Sequence, residues 1–322
     1  LWAHDTSNAS TWQVADIRSG SWSSYPGQYM SILAGDTLYF SASNGNGEIE
    51  LWAHDTSNAS TWQVANIRSS GGSSRPGQLM SILAGDTLYF SADDGSSGVE
   101  LWAHDTSNAS TWQVANIRSG SGGSDPGQYT EMLVGDTLYF SASNGNGVEL
   151  WAHNTSNAST WQVAVMSYGS LSSGPGQHAV ISKLVGDTIY FVADFYGVGA
   201  ELWAHDTSNV STWQVVDINS GSPSSEPGRF MWHVVGDTLY FSANGANKGI
   251  ELWAHQPSEI TSLGGGSGSG SGSGPNSGTY NGNGTSWQIT NYPTAQVRDL
   301  EAIGDTLYFG HVSYFEGKEL WK

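Results

Sequence analysis

One fourteen-residue phrase, LWAHDTSNASTWQV, opens at Leu1 and returns unchanged at Leu51 and Leu101, with near copies from Leu150 and Leu202. A chain that copies itself at a fixed period stacks one structural unit many times, and that constrains its fold before any single residue does. The Leu-Trp pair falls at 1, 51, 101, 150, 202, 252 and 320. Gly-Asp-Thr, followed by Leu or Ile and then Tyr-Phe, occurs six times, from Gly35, Gly85, Gly135, Gly186, Gly236 and Gly304. A second tryptophan recurs as Trp12, Trp62, Trp112, Trp161, Trp213 and Trp287.

Within each unit the pattern is that of strands. Leu38, Phe40 and Ala42 alternate with Thr37, Tyr39 and Ser41, and the Leu-Trp and Thr-Trp segments are rich in aromatic and β-branched residues. Gly, Ser, Asn and Pro clusters separate them, and no helical period appears. Four short strands result: A around Met30–Leu33, B at Asp36–Ala42, C at Glu50–His54 and D at Thr61–Ile67. Four antiparallel strands in about 50 residues is one propeller blade. The expected fold is all-β, a six-bladed β-propeller in one domain over 1–322, with a seven-bladed ring as the alternative.

The residues of strands C and D resemble the ELWxxDGT repeat of secreted bacterial and archaeal proteins. Glu50, Leu51, Trp52 and Asp55 carry the resemblance together with the Gly-Asp-Thr strand, and nearly all units share it. The turn departs from it, reading DTSNAS in place of Asp-Gly-Thr. The resemblance implies a propeller on the cell exterior and no established catalysis.

Seven Leu-Trp pairs serve six copies of each other strand, so one strand C is surplus. Leu1–Trp2 and Leu320–Trp321 claim the same slot. Strands near Val297–Trp321 are therefore expected beside strand D at Thr11–Ile17, with one Leu-Trp copy displaced or joined to a neighbouring molecule. One unit is interrupted by a Gly/Ser run at 264–274, a flexible spacer in a C–D loop. Its regularity reads as an engineered joint between former termini, which makes the chain a circular permutant; a natural low-complexity loop is the other reading. The start at Leu1 without a Met reads as a mature or trimmed product.

Charge and composition narrow the function. A formal net charge of −19 with only ten Lys and Arg opposes binding to a phosphate backbone, so no nucleic-acid partner is expected. No apolar run reaches the length of a membrane span. The absence of cysteine excludes disulfides and thiolate metal sites. The low charged fraction, 12%, with Ser, Thr, Asn and Gly as the polar stock, is the composition of an extracellular protein.

Single-residue chemistry is thin. His4, His54, His104, His153, His205 and His255 recur one per unit, too far apart to share a metal, and read as structural residues bonded to a neighbouring turn. Asp93 and Asp94 read as turn residues in preference to a calcium loop. No phosphate loop, zincin helix or nucleophile elbow appears, and neither cofactor nor metal is expected. Asn8, Asn58, Asn108, Asn157, Asn209 and Asn283 begin glycosylation sequons in C–D turns, where an Asx-type turn is the competing reading.

If the repeated phrase is scaffold, function belongs where copies disagree. The A–B and C–D turns hardly vary, whereas the D–A and B–C connections do, and these emerge at one end of a blade. Candidate ligand-binding residues there are Tyr25, Tyr29, Arg75, Asp125, Tyr129, His178, Glu226, Phe230, Trp232 and His233, a mixture suited to sugar stacking and hydrogen bonding. The leading reading is a non-enzymatic extracellular propeller binding a glycan or a surface protein through this face. A structural subunit of a surface layer or filament, self-assembling through open strand ends, is the alternative. A hydrolase using Asp125 and Glu226 as an acidic pair is a second one.

Overall fold

The computed structural model describes residues 1–166, 172–177, 182–195, 197–221, 223–245, 249–257, 284–290, 295–303, 306–313 and 317–321. The Gly/Ser run at 264–274, His178 and Asn283 lie outside the described residues. The chain divides into two units, 1–161 and 162–322.

The first unit opens with a hairpin, β1 (Trp2–Asp5) against β2 (Ser10–Gln13). Three sheets follow in the order A-B-C-D: β3 (Ser31–Ala34), β4 (Thr37–Ser43), β5 (Ile49–Asp55) and β6 (Ser60–Ala65); β7 (Ser81–Ala84), β8 (Thr87–Asp93), β9 (Val99–Asp105) and β10 (Ser110–Ala115); β11 (Glu131–Val134), β12 (Thr137–Ser143), β13 (Val148–Asn154) and β14 (Ser159–Ala164). The unit boundary falls inside β14.

The second unit holds β15 (Lys183–Val185), β16 (Thr188–Phe195), β17 (Gly199–Asp206) and β18 (Ser211–Val216) as one sheet. Beside these come β19 (Trp232–Val235), β20 (Thr238–Gly245), β21 (Gly249–Pro257) and β22 (Gly284–Gln288). A short parallel pairing, Gly249↔Ala295 and Ile250↔Gln296, joins this sheet to β23 (Ala295–Ile303), β24 (Thr306–Ser313) and β25 (Gly317–Trp321).

The fold is all-β, built of four-stranded antiparallel sheets in repeats of about 50 residues, the blade of a β-propeller. Five sheets are complete; β23, β24 and β25 supply strands A, B and C of a sixth, and β1 and β2 form a C–D pair. Of the two claimants for the slot beside β2, the N-terminal copy takes it: Trp2 faces Gln13 and Asp5 faces Ser10.

Strand B is buried along most of its length, and within each unit neighbouring sheets pack face to face. Tyr39, Leu51 and Ala53 on one face of the first sheet meet Leu88, Phe90 and Ala92 of the second. Tyr89, Leu101 and Ala103 on the second meet Leu138, Phe140 and Ala142 of the third. Each such buried aromatic or leucine contributes roughly 2 kcal/mol of transfer free energy. Close approach is enforced by glycine. Gly77 has φ +77°, and a Cβ there would stand 2.5 Å from Met30 Cβ of the sheet before.

Polar groups inside this core are paired across strands. The buried Ser41 hydroxyl accepts the Tyr29 N–H at 2.9 Å, tying the start of strand A to strand B. Each repeat histidine bonds the strand-D hydroxyl beside it, Ser286 for His255 and a threonine for the others, as in His54 Nδ1 to Thr61 Oγ1 at 2.8 Å. The rings of His104 and His153 also meet the strand-B tyrosine of the preceding sheet, Tyr39 and Tyr89, with centroids 5.2 and 5.3 Å apart. These histidines are inter-sheet packing groups.

Candidate functional site

The two ends of each sheet are built differently. At the invariant end the C–D turn is a closed network. Asp55 Oδ1 accepts the Ser57 N–H (2.8 Å) and hydroxyl (2.6 Å), and Asn58 Nδ2 donates to Asp55 Oδ2 at 2.6 Å. Asn58 Oδ1 accepts the Ser60 N–H at 2.9 Å. The Ser57 bonds hold the Asp55 carboxyl below the usual carboxylate range. Thr56 then donates both its N–H and its hydroxyl to the Asp36 carbonyl, locking this turn to the A–B turn.

The same bonds recur around Asp5, Asp105 and Asp206, so the sequon amides of Asn8, Asn58, Asn108 and Asn209 are members of the turn. In the fourth copy Asn154 replaces the aspartate. Asn157 there accepts from Ser159, while its backbone N–H goes to Asn154 Oδ1 at 3.1 Å.

At the variable end a buried glutamate pins three of the D–A loops. Glu50, at the start of strand C, accepts the Ile67 N–H (2.9 Å), the Ser74 N–H (3.2 Å) and the Ser74 hydroxyl (2.7 Å). Glu100 grips Ile117 and Ser124 in the same way, and Glu201 grips Ile218 and Ser225. Burial raises the carboxyls of Glu50 and Glu100 above their ordinary range and pushes Glu201 up to about 7.

The residue after the equivalent loop serine (Ser24, Ser74, Ser124, Ser173 or Ser225) is the one that varies: Tyr25, Arg75, Asp125, Gly174 and Glu226. All five lie in the left-handed region, with φ between +46° and +50°. An L-residue is disfavoured there by about 1–2 kcal/mol, and glycine is not. Only the fourth copy uses glycine. The other four hold an aromatic or charged side chain on a strained mount, which at Arg75, Asp125 and Glu226 is fixed by a buried glutamate–serine bond behind it, the pattern expected where presentation of a side chain outweighs stability.

Surroundings of the mounts differ. Tyr25 is 56% exposed and Trp22, three residues earlier, is 71% exposed, with the Arg18 guanidinium 5.4 Å from the Trp22 ring centre. Arg75 is exposed. Asp125 is half-buried, its carboxyl raised by burial and eased by the nearby Arg118 charge. Glu226 is ion-paired with Arg229, whose guanidinium lies 5.5 Å from the Phe230 ring centre. Tyr29, Tyr129, Phe230 and His233 are half-buried on the edge of strand A.

Trp232 takes an inward position. It is only 8% exposed and packs with Phe241, ring centres 5.9 Å apart, in a core with Val216 and Leu239. Its indole occupies the space over Gly228, where a Cβ would meet Nε1 at 1.2 Å. In this packing it offers no face for a sugar. Trp22 and Arg18, which the sequence reading passed over, hold the exposed aromatic surface instead. The signal available was Trp22 itself, present in one D–A loop and replaced by glycine, leucine or proline in the others.

Asp93 and Asp94 serve their loop. Asp93 accepts from Gly95 and pairs with Arg68, and Asp94 accepts the Ser96 and Ser97 N–H groups.

No family model matches the chain, and no curated protein matches it. Solved structures similar in fold include BamB from Moraxella catarrhalis, at 16% identity and TM-score 0.38 over 91% of this chain and 69% of that one. Another is TolB from Acinetobacter baumannii, at 11% identity and TM-score 0.33, covering 84% of this chain and 61% of TolB. Oligopeptidase B from Leishmania major, at 12% identity and TM-score 0.44, covers 90% of this chain and 37% of the peptidase.

Proposed function

We propose that the chain is a non-enzymatic, extracellular or cell-surface binding protein that takes a glycan or a protein ligand through the D–A and B–C loops. One observation carries the reading: four of five equivalent left-handed positions hold Tyr, Arg, Asp or Glu where glycine would be more stable. The exposed Trp22 and Tyr25, with Arg18 beside them, supply flat apolar surface next to a charged hydrogen-bond donor, which suits a sugar ring.

The test is a glycan array probed with the purified chain, followed by titration of any hit against Trp22→Ala. An aromatic platform contributes about 1 kcal/mol per stacked ring, so the expected loss is tenfold or less. Absence of saturable binding to glycans and to surface-protein extracts, or affinity untouched by Trp22→Ala and Tyr25→Gly together, sinks the reading. The open edge of β1 favours a second one, a subunit that assembles through strand ends.

A further inference from the structure

Three D–A loops of the first unit carry an arginine at the same station: Arg18, Arg68 and Arg118. Their stems run alike, across a glycine of the B–C loop in the sheet that follows. A Cβ at Gly45 would stand 3.6 Å from Arg18 Cγ, one at Gly95 3.3 Å from Arg68 Cγ, and one at Gly145 3.9 Å from Arg118 Cγ. What each guanidinium meets beyond that glycine differs.

Arg68 is ion-paired with Asp93 of the B–C loop. Arg118 has Asp125 of its own D–A loop, whose carboxyl, raised by burial, is eased by the arginine's charge. Neither carboxylate has a counterpart beside Arg18, because Ser43 stands at the position of Asp93 and Tyr25 at that of Asp125. The Ser43 hydroxyl is buried and bonds nothing among the described residues. Arg18 makes no ion pair among those residues, and its hydrogen bond to the Ser23 carbonyl is long, at 3.5 Å. Its guanidinium lies 5.4 Å from the ring centre of Trp22, which is 71% exposed. The first loop thus keeps the arginine, drops both carboxylates, and sets a tryptophan where the sister loops have Gly72 and Gly122.

We propose that the carboxylate Arg18 lacks is supplied by the ligand: the site takes an acidic sugar, a uronate, with its ring on Trp22 and its carboxylate in the Arg18 fork. This rests on the glycan reading above and narrows it. A planar guanidinium matches a carboxylate through two parallel hydrogen bonds, and an exposed indole takes the apolar face of a sugar ring. That flat aromatic surface favours a sugar over an acidic peptide. One arginine in a chain of net charge −19 can compensate one carboxylate, so a single uronate among neutral sugars fits and a dense polyanion does not.

The test is an array of oligosaccharides ending in glucuronate, galacturonate or mannuronate, each beside a copy whose carboxylate is reduced to the alcohol, with glutamate-ended peptides alongside. Hits are titrated in solution. A uronate should bind about tenfold more tightly than its reduced copy, and Arg18→Gln should erase that difference. Trp22→Ala should weaken both forms. Ser43→Asp is the sharper variant, since it rebuilds the pair that Arg68 makes with Asp93. It should abolish the preference for the uronate while the melting temperature is kept or raised. If acidic and reduced sugars bind alike and both need Trp22, the glycan reading stands and the uronate is overturned. Binding to no sugar overturns both, and binding to the peptides alone does so in favour of a protein ligand.

Discussion

Tyr190 and His255 meet across two sheets, with ring centres 5.1 Å apart and the tyrosine hydroxyl 3.2 Å from Nε2. The other ring nitrogen, Nδ1, lies 2.8 Å from Ser286 Oγ, so both nitrogens are engaged by hydroxyls and no carboxylate stands among these partners. Burial pushes the imidazole down to about 4 from an ordinary 6.5. The neutral ring is therefore favoured by folding. Its contribution is present above pH 6.5 and is lost as pH falls through about 4. A depression of this size corresponds to about 3 kcal/mol. His255→Gln should remove that acid sensitivity, seen as a flatter dependence of unfolding free energy on pH between 6.5 and 4 than in the parent chain. Parallel slopes would mean that the ring does not stay neutral in the fold.

Glu201 titrates in the opposite sense. Burial raises its carboxyl to about 7 from 4.5, despite the hydrogen bonds from Ser225 and Ile218. A raised acid favours folding while protonated, so its contribution is complete below pH 4.5 and lost as pH rises through about 7. Glu201→Gln should then gain on the parent by about 3 kcal/mol across that interval, whatever the offset between the two at pH 4.5. Urea denaturation at pH 4.5 and 8 reads the difference directly, and an unchanged gap refutes it.

The C–D turns store strain in plain view. Ala9, Ala59, Ala109 and Ala158 sit at φ +58° or +59°, and Val210 sits at +61°. A β-branched residue is a genuine outlier there. Val210 is also exposed, so its removal takes away little packing. Val210→Gly should stabilise the chain by about 1 kcal/mol, and Ala59→Gly by somewhat less, because glycine relieves the strain but loses more chain entropy on folding. Thermal melts compare them; a lower melting point for Val210→Gly counts against the strain.

The period and the strand phrases were legible because each copy states them again, and a misreading in one would contradict the rest. Three features were not legible, for physical reasons. The residue before a proline is normally extended, so nothing in Arg75-Pro76-Gly77 announces a left-handed Arg75. Its conformation is set from another sheet, by Glu50 gripping Ser74. The direction of Trp232 depends on empty space over Gly228, a distance no strand pattern encodes. The pairing of each histidine with a tyrosine depends on how sheets stack, since Tyr39 and His104 are 65 residues apart in the chain.

Trp232 and Trp22 should separate stability from binding. Trp232→Ala removes a core indole beside Phe241 and opens a cavity over Gly228, a change that costs about 3–5 kcal/mol. Trp22→Ala removes an exposed ring and should move the melting temperature little. Equal destabilisation by the two would show that Trp22 packs against the protein.

Tyr25→Gly tests the mount. The φ of +47° at Tyr25 is one glycine adopts without strain, and the Tyr25 N–H bond to Ser23 Oγ (3.1 Å) is a backbone donation that the substitution leaves intact. The variant should therefore be more stable than the parent by about 1 kcal/mol. A ligand taken by this loop should bind less well, since the ring that the mount presents is gone. Gain in stability together with loss of affinity is the trade-off expected of a residue kept for function. Calorimetric melting and a titration with the array hit read the two quantities on one preparation. If Tyr25→Gly is destabilising, the ring is packed against the protein, and the left-handed positions lose their place in the functional reading.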